Sequence, residues 1–237
     1  MRPEFLVAGL DLGKAADFSV LSVVGRRKLD KPVAKRRYAY ALRWLQAWEL
    51  GTKYSATKPG ERSVIGDVKA RFAAPPLKGS PLAVDYTGVG MAVVEQVQAA
   101  KVAARLNPVM ITSGHTVMTP DETKDRSWHV PKVELIGTLV VLLENNLLTW
   151  ERPGSSRALP LIGRWEKELT AFREFVTRKK NVTYGAESSA HDDIILSVSL
   201  ACYIGERVGG CDSTGIVVPD ADGRSVTETA PAGVFQK

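Results

Sequence analysis

Apolar residues at the start of the chain fall into short runs that predict β-strands. Phe5–Asp11 is almost continuously apolar without a helical period, which is typical of a buried strand. Residues 17–24 are rich in β-branched side chains and follow closely, so we expect an antiparallel hairpin. Residues 25–31 are basic and predict a turn, after which residues 33–44 predict a third strand. The chain is therefore expected to open with three antiparallel strands.

The middle of the chain alternates between apolar strands and helical patterns. Residues 61–72 predict a short helix, and residues 82–85 predict a strand. After a glycine-containing turn, apolar residues at three- and four-residue spacing predict a helix over 91–104, and residues 109–111 predict another strand. This order of elements is a βαβ unit, in which the two strands are parallel.

The C-terminal half is predicted to combine helices with a strand–turn–strand, up to a polar tail. Residues 113–131 predict a long loop or hairpin, and residues 132–146 predict an amphipathic helix. The following patterns predict a helix that runs into a strand (164–174), a strand–turn–strand (175–184) and a last helix (191–207). Beyond residue 208 the chain contains linker-like groups, which are Gly209-Gly210, Ser213-Thr214-Gly215 and residues 219–223. We therefore expect one domain over residues 1–207 and a disordered tail over residues 208–237.

Composition adds the class of protein and one hint of a partner. Of the 237 residues, 44% are hydrophobic and 24% are charged, which excludes a disordered or fibrous chain. There is no apolar run of about 18 residues, no signal-peptide pattern and no set of cysteines for a disulfide framework. We therefore expect a cytoplasmic protein without membrane contact. The net charge of +6 fits a polyanionic partner such as nucleic acid, although many basic proteins bind none.

Acidic residues occupy positions at which open α/β sheets commonly form ligand-binding sites. Asp11 ends the first predicted strand, and Asp85 ends the strand before the glycine turn. Asp192 and Asp193 open the last helix. Carboxylates gathered at one place repel each other unless a divalent cation joins them, and Mg²⁺ and Mn²⁺ prefer oxygen ligands. Each aspartate alone also fits a turn or a helix cap, so the predicted metal site depends on all the positions together.

Three segments resemble the acidic motifs of the nuclease domain of phage large terminases. The segments are Gly9-Leu10-Asp11 with Asp17-Phe18-Ser19, residues 84–90 around Asp85, and His191-Asp192-Asp193-Ile194-Ile195. Residues 130–136, around Lys132, resemble the family's segment with a lysine and a helix. The resemblance covers residues 5–207 and implies a ribonuclease H-like α/β fold. In that fold a mixed sheet has three antiparallel strands, then parallel strands, and is flanked by helices, which agrees with the pattern above.

The resemblance also implies a reaction and its partners. The implied activity is a DNA endonuclease that hydrolyses phosphodiester bonds with two Mg²⁺ or Mn²⁺ ions. Asp11 would bridge the two ions, and Asp85 with one of Asp192 or Asp193 would complete their shells. Neighbouring helical residues point about 100° apart, which favours a single direct ligand per ion, with preference for Asp193. The implied partners are double-stranded DNA and, in the packaging machinery, an ATPase, the small terminase subunit or the portal.

Further residues are candidates for auxiliary roles. His191 would orient a ligand or contact phosphate, or it is simply the start of a helix, and Lys132 would contact the scissile phosphate or cap a helix. Asp17 belongs to the first motif. Backbone contacts to DNA are expected from basic residues in turns, and base stacking from Trp128, although solvated turns and core packing are the simpler explanations. These basic residues are Lys14, Arg178, Lys179 and Lys180.

Other functions remain open at this point. The chain contains no phosphate-binding loop of the Gly-x-x-x-x-Gly-Lys-Ser/Thr type, so we expect no packaging motor within it. A resolvase or transposase of the same fold, an inactive DNA-binding module, and an ATPase related to actin and sugar kinases are the alternatives. Residues 26–60 are longer and more aromatic than a hairpin needs and have no assigned function.

Overall fold

The computed structural model of the 237-residue chain describes residues 4–13, 17–88, 90–156, 159–176, 182–186 and 192–208. Its centre is a seven-stranded mixed sheet with the spatial order β6-β5-β4-β1-β2-β3-β7. The strands are β1 (Phe5–Asp11), β2 (Val20–Val33), β3 (Arg36–Ala47), β4 (Pro81–Asp85), β5 (Arg105–Thr112), β6 (Trp128–Pro131) and β7 (Leu148–Thr149). A separate antiparallel pair consists of β8 (Phe172–Val176) and β9 (Val182–Ala186).

The strand directions confirm the predicted fold class. β1, β2 and β3 are antiparallel neighbours, whereas β4, β5 and β6 join the other side of β1 as parallel strands. β7 adds a short parallel pairing to the outer edge of β3. The five helices of the described residues are α1 (Val64–Phe72), α2 (Gly90–Ala99), α3 (Lys132–Glu144), α4 (Ile162–Ala171) and α5 (Asp193–Arg207). None of them is long and apolar enough to cross a membrane.

The two faces of the sheet bury separate apolar cores. On one face, Leu6, Ala8 and Leu10 of β1 pack with α1 and α2. On the other face, Val7 packs with residues of α3, α4 and α5. Side chains alternate between the faces of a strand, so Asp11 at the end of β1 lies on the same face as Val7. The sequence pattern of β1 thus directs its terminal carboxylate towards α5.

Three sequence predictions of local structure are wrong in their bounds. Residues 25–31, predicted as a turn, continue β2, and the chain reverses only at Ala34 and Lys35, which have φ of 47° and 64°. A run of basic residues does not by itself end a strand, because turns form preferentially at glycine, proline, asparagine and aspartate. The helix predicted over 91–104 ends at Ala99, just before Lys101 adopts a positive φ. The segment 113–131, predicted as a long loop or hairpin, contains an antiparallel bridge between Met118 and His129, but its last residues also form β6, which pairs in parallel with β5.

Candidate metal centre

The sheet brings Asp11 and Asp85 to the same edge and the same face. β1 and β4 are parallel neighbours, and Leu10 lies opposite Val84 in their register, so both aspartates follow at the carboxyl ends of adjacent strands. Leu82 and Val84 contact the core of α1 and α2, whereas Ala83 faces the core of α5. The alternation therefore places Asp85 on the α5 face as well.

Helix α5 approaches β1 at a glycine. A Cβ atom at Gly9 would lie 2.0 Å from the backbone oxygen of Ser197, so only glycine permits this contact. The Ser197 hydroxyl donates a hydrogen bond of 2.8 Å to the Gly9 carbonyl. The close contact sets the position of α5, whose N-terminus carries Asp192 and Asp193, beside the end of β1.

The four aspartates form one electrostatic group. Asp11 is 5% exposed, and burial raises its pKa well above the usual range. The negative charges of Asp85, Asp193 and Asp192 raise that pKa further, whereas Lys132 lowers it. The structure thus brings together all four carboxylates that the sequence singled out, and two of them, Asp11 and Asp193, are buried.

Two basic side chains partly neutralise the negative charge of the four aspartates. The Lys132 ammonium donates to Asp192 Oδ2 at 2.9 Å, and the Arg164 guanidinium donates to Asp193 Oδ2 at 2.8 Å. Asp85 Oδ1 accepts a hydrogen bond of 2.8 Å from the backbone N–H of Thr87. Four carboxylates against two cations leave an excess of negative charge at one end of the sheet, the condition under which a divalent cation is favoured.

Glu168 and Arg164 of α4 were not found by sequence reasoning. Glu168 Oε2 accepts the backbone N–H groups of Ile194 at 2.9 Å and Ile195 at 3.3 Å, and so caps the N-terminus of α5 from another helix. Arg164 bridges Glu168, at 2.9 Å, and Asp193. Burial raises the pKa of Glu168 to about 7, although Arg164 and the two N–H groups oppose the shift. The pair holds the start of α5 in place beside β1.

Tyr54 is a third residue that the sequence did not assign. Its hydroxyl donates a hydrogen bond to the carbonyl of Gly13, two residues beyond Asp11. Burial raises the pKa of Tyr54, and the charges of Asp11 and Asp85 raise it further. Part of the aromatic segment over residues 26–60 therefore lies against the carboxylate group. The only available signal was that excess of aromatic residues.

The other predicted site residues divide into two sets. Asp17 is exposed, and it is absent from the charges that shift the pKa of Asp11. Trp128 is partly buried against the core, with its ring edge-on to Tyr203 at 6.5 Å between centroids, as core packing predicts. The remaining predictions, on Lys14, Arg178, Lys179, Lys180 and His191, lie outside the described residues, as does the tail beyond residue 208.

The chemistry of the group fits a hard divalent cation. All its candidate ligand atoms are carboxylate oxygens, the donors that Mg²⁺ and Mn²⁺ prefer. Within the described part of the chain, no three His, Cys, Asp or Glu side chains are already close enough to hold an ion. An ion bound here therefore takes its ligands from carboxylates that are now hydrogen-bonded to Lys132, Arg164 and Thr87.

The order and directions of the strands are those of a ribonuclease H-like fold. In agreement, solved structures of large terminase nuclease domains match over most of the chain. The nuclease of thermophilic phage G20c with bound magnesium has a TM-score of 0.57 and 23% identity, over 84% of this chain and 81% of that one. The domain of Thermus phage P74-26 has a TM-score of 0.52 and 22% identity, over 84% and 78%.

A more distant structure gives the same result. The nuclease domain of the large terminase subunit gp2 of bacterial virus Sf6 has a TM-score of 0.54 and 8% identity, over 85% of this chain and 89% of that one. No protein-family model and no curated protein sequence matches the chain. The resemblance noted in the sequence is thus confirmed at the level of the fold, which this chain shares with terminase nucleases.

Proposed function

We propose that the chain is a divalent-metal-dependent DNA endonuclease of the terminase nuclease type. The observation that carries the proposal is Asp11, a buried carboxylate whose pKa is raised by burial and by three other aspartates at the end of β4 and the start of α5. Such a group is unfavourable by itself and becomes favourable when cations join it. Structures with the same fold contain bound magnesium and cobalt, which supports the choice of metal.

The aspartates of this chain would hold two ions. Asp11 would bridge them, and Asp85 with Asp192 or Asp193 would complete the ligand sets. When bound, Mg²⁺ or Mn²⁺ supplies an activated water and stabilises the leaving oxygen of the phosphodiester. The buried position of Asp11 fixes its carboxylate, and Glu168 orients the start of α5 through two backbone N–H groups. Lys132 and Arg164 balance the charge of the group until the cations bind.

The likeness to terminase nuclease domains supports a proposal for the substrate and the partners. Double-stranded DNA is the proposed substrate, cut during packaging of concatemeric viral DNA in the host cytoplasm. A packaging ATPase, the small terminase subunit or the portal would deliver it. The proposed domain comprises residues 1–207, with residues 208–237 as a tail.

A plasmid-nicking assay tests the proposal. The wild-type chain is expected to convert supercoiled plasmid to nicked and linear forms with Mg²⁺ or Mn²⁺ but not with EDTA. Asp11→Asn preserves the size of the side chain and is expected to abolish cleavage. Asp121→Asn, at a side chain that is 82% exposed, removes the same charge and is expected to cleave normally. Absence of cleavage by the wild type with both metals, or full cleavage by Asp11→Asn, would show that the proposal is wrong.

A further inference from the structure

The hairpin of β2 and β3 extends beyond the rest of the sheet. Within the described residues, β1 pairs with β2 only as far as Arg26, and β7 pairs with β3 only at Tyr40 and Ala41. Residues 27–37, which we call the basic ribbon, therefore form a two-stranded arm with its turn at Ala34 and Lys35. This segment belongs to the region for which the sequence suggested no function.

Most of the net charge of the chain lies on the basic ribbon. Its eleven residues include six basic side chains and one acidic one, Asp30, so the ribbon contributes +5 while the whole chain carries +6. Arg36 is half-buried and the other five basic residues are exposed. Among the residues that the structure describes, none of these five takes part in an ion pair. The five are Arg27, Lys28, Lys31, Lys35 and Arg37.

A buried arginine anchors the base of the ribbon. The Arg26 guanidinium lies 4.7 Å from the ring centre of Phe5 and 4.3 Å from that of Tyr38. It also donates to the backbone carbonyls of Gly205 and Val208, at the C-terminal end of α5. A two-stranded hairpin alone is only marginally stable in water, so this attachment to the core is what holds the arm in one direction.

The turn of the ribbon carries a lysine at a position whose backbone conformation is unfavourable for that residue. Ala34 and Lys35 both have positive φ, a conformation for which glycine and asparagine are the usual choices. A lysine at the tip places a cation where the backbone would prefer another residue. The tip, both strands and their exposed side chains thus present one continuous cationic surface.

We propose that the basic ribbon binds the phosphate backbone of duplex DNA at a distance from the carboxylate group. The proposal deepens the proposed function, because it takes the DNA substrate as the ligand of this second surface. Duplex DNA carries about one negative charge per 1.7 Å of helix axis, so a ribbon about 20 Å long faces roughly a dozen charges. Cations spread along an arm suit such a polymer, whereas protein interfaces are depleted of lysine at their core.

The ribbon and the carboxylates occupy opposite ends of β2. Asp11 pairs with Val20, the first residue of β2, and the ribbon turn follows the last residue of this 14-residue strand. At about 3.3 Å per residue, the two surfaces are up to about 45 Å apart. Arg27, at the base of the ribbon, is about 23 Å from that end of β2, so DNA that contacts both surfaces spans between about two-thirds of a helical turn and somewhat more than one turn. The ribbon would add affinity and direct the duplex without touching the reacting phosphate.

Binding to a 40-bp duplex tests the inference without cleavage. Both variants are made in the Asp11→Asn chain, and fluorescence anisotropy is measured in EDTA over a series of salt concentrations. The ribbon variant is Lys28→Gln/Lys31→Gln/Lys35→Gln, and the control is Lys58→Gln/Lys69→Gln/Lys78→Gln, also at exposed lysines. Each lost phosphate contact lowers the slope of log affinity against log salt by about 0.9.

The ribbon variant is expected to bind at least about tenfold more weakly than the control at about 100 mM salt, with a slope lower by roughly two to three. Equal Tm values for the two variants would establish that both are folded. Equal affinities and slopes would overturn the inference and favour an acidic protein as the ligand of the ribbon. Plasmid cleavage by the wild type together with that result would leave the proposed function intact. Ribbon-dependent binding without cleavage by the wild type would instead refute the endonuclease alone.

Discussion

Replacing Asp11 by asparagine is expected to stabilise the metal-free chain. Burial and three neighbouring aspartates raise the pKa of this carboxyl, so its ionised form destabilises the fold at neutral pH. Each pKa unit corresponds to about 1.4 kcal/mol. One kcal/mol shifts the Tm of a domain of 150–250 residues by about 2–4 °C. The asparagine amide carries no charge, so we expect a Tm higher by a few degrees in EDTA.

The direction of the pKa shift of Asp11 determines how the stability of the wild type depends on pH. Because the folded-state pKa of Asp11 is raised, the folded wild type binds the proton more tightly than the unfolded chain does. Its stability therefore falls as pH rises from the unfolded pKa of about 3.9 to the folded pKa, and stays reduced above it. The advantage of Asp11→Asn is expected to be absent near about pH 4 and to grow as pH rises towards the folded-state pKa.

Thermal unfolding in EDTA and in Mg²⁺ is the measurement. Mg²⁺ binds the folded wild type and is expected to raise its Tm, whereas the response of Asp11→Asn is expected to be much smaller. Asp121→Asn, at the exposed control position, is expected to match the wild type in both conditions. A lower Tm for Asp11→Asn in EDTA at neutral pH would refute the idea that the carboxylate group is electrostatically strained without metal.

Two further substitutions test how α5 is held. Gly9→Ala is expected to destabilise the chain by about 1–3 kcal/mol in urea unfolding, because its Cβ would meet the backbone of Ser197 at 2.0 Å. Gly137→Ala in α3, where a Cβ meets nothing within 4 Å, is expected to stabilise it by about 0.5–1 kcal/mol, and equal effects of the two would contradict the argument. Arg164→Met leaves two buried carboxylates without their shared cation and is expected to cost about 3–5 kcal/mol in the same assay, whereas a loss below about 1 kcal/mol would mean that water replaces the arginine.

The central sheet and the aspartates could be predicted from the sequence because both depend on local pattern. The apolar run of β1 ends at Asp11, and the βαβ unit fixes Asp85 at the same edge, so strand alternation alone directs both towards one face. The position of α5 follows from the need to bury its apolar side against that face. The position of the predicted carboxylate group therefore follows from the order of the elements and the alternation of side chains along the strands.

The contacts that were missed join residues far apart in the chain. Arg164 and Glu168 have the spacing of a helical ion pair, but nothing in that pattern shows that they also reach Asp193 and the N-terminus of α5. Tyr54 reaches Gly13 across 41 positions. The prediction of a turn within the basic ribbon fails because it assumes that charge ends a strand, whereas a two-stranded arm exposed to solvent accepts charged side chains readily.

The hydrogen bond between Ser197 and Gly9 spans 188 positions of the chain. During synthesis β1 emerges among the first elements, yet the helix that completes the carboxylate group emerges last among those described. Contacts of such long sequence separation form late and slow the folding of a domain. Until α5 docks, Gly9 and Val7 expose an uncovered strand face. A nascent chain therefore holds Asp11 and Asp85 without the other two aspartates, and the complete group arises only after α5 has been made.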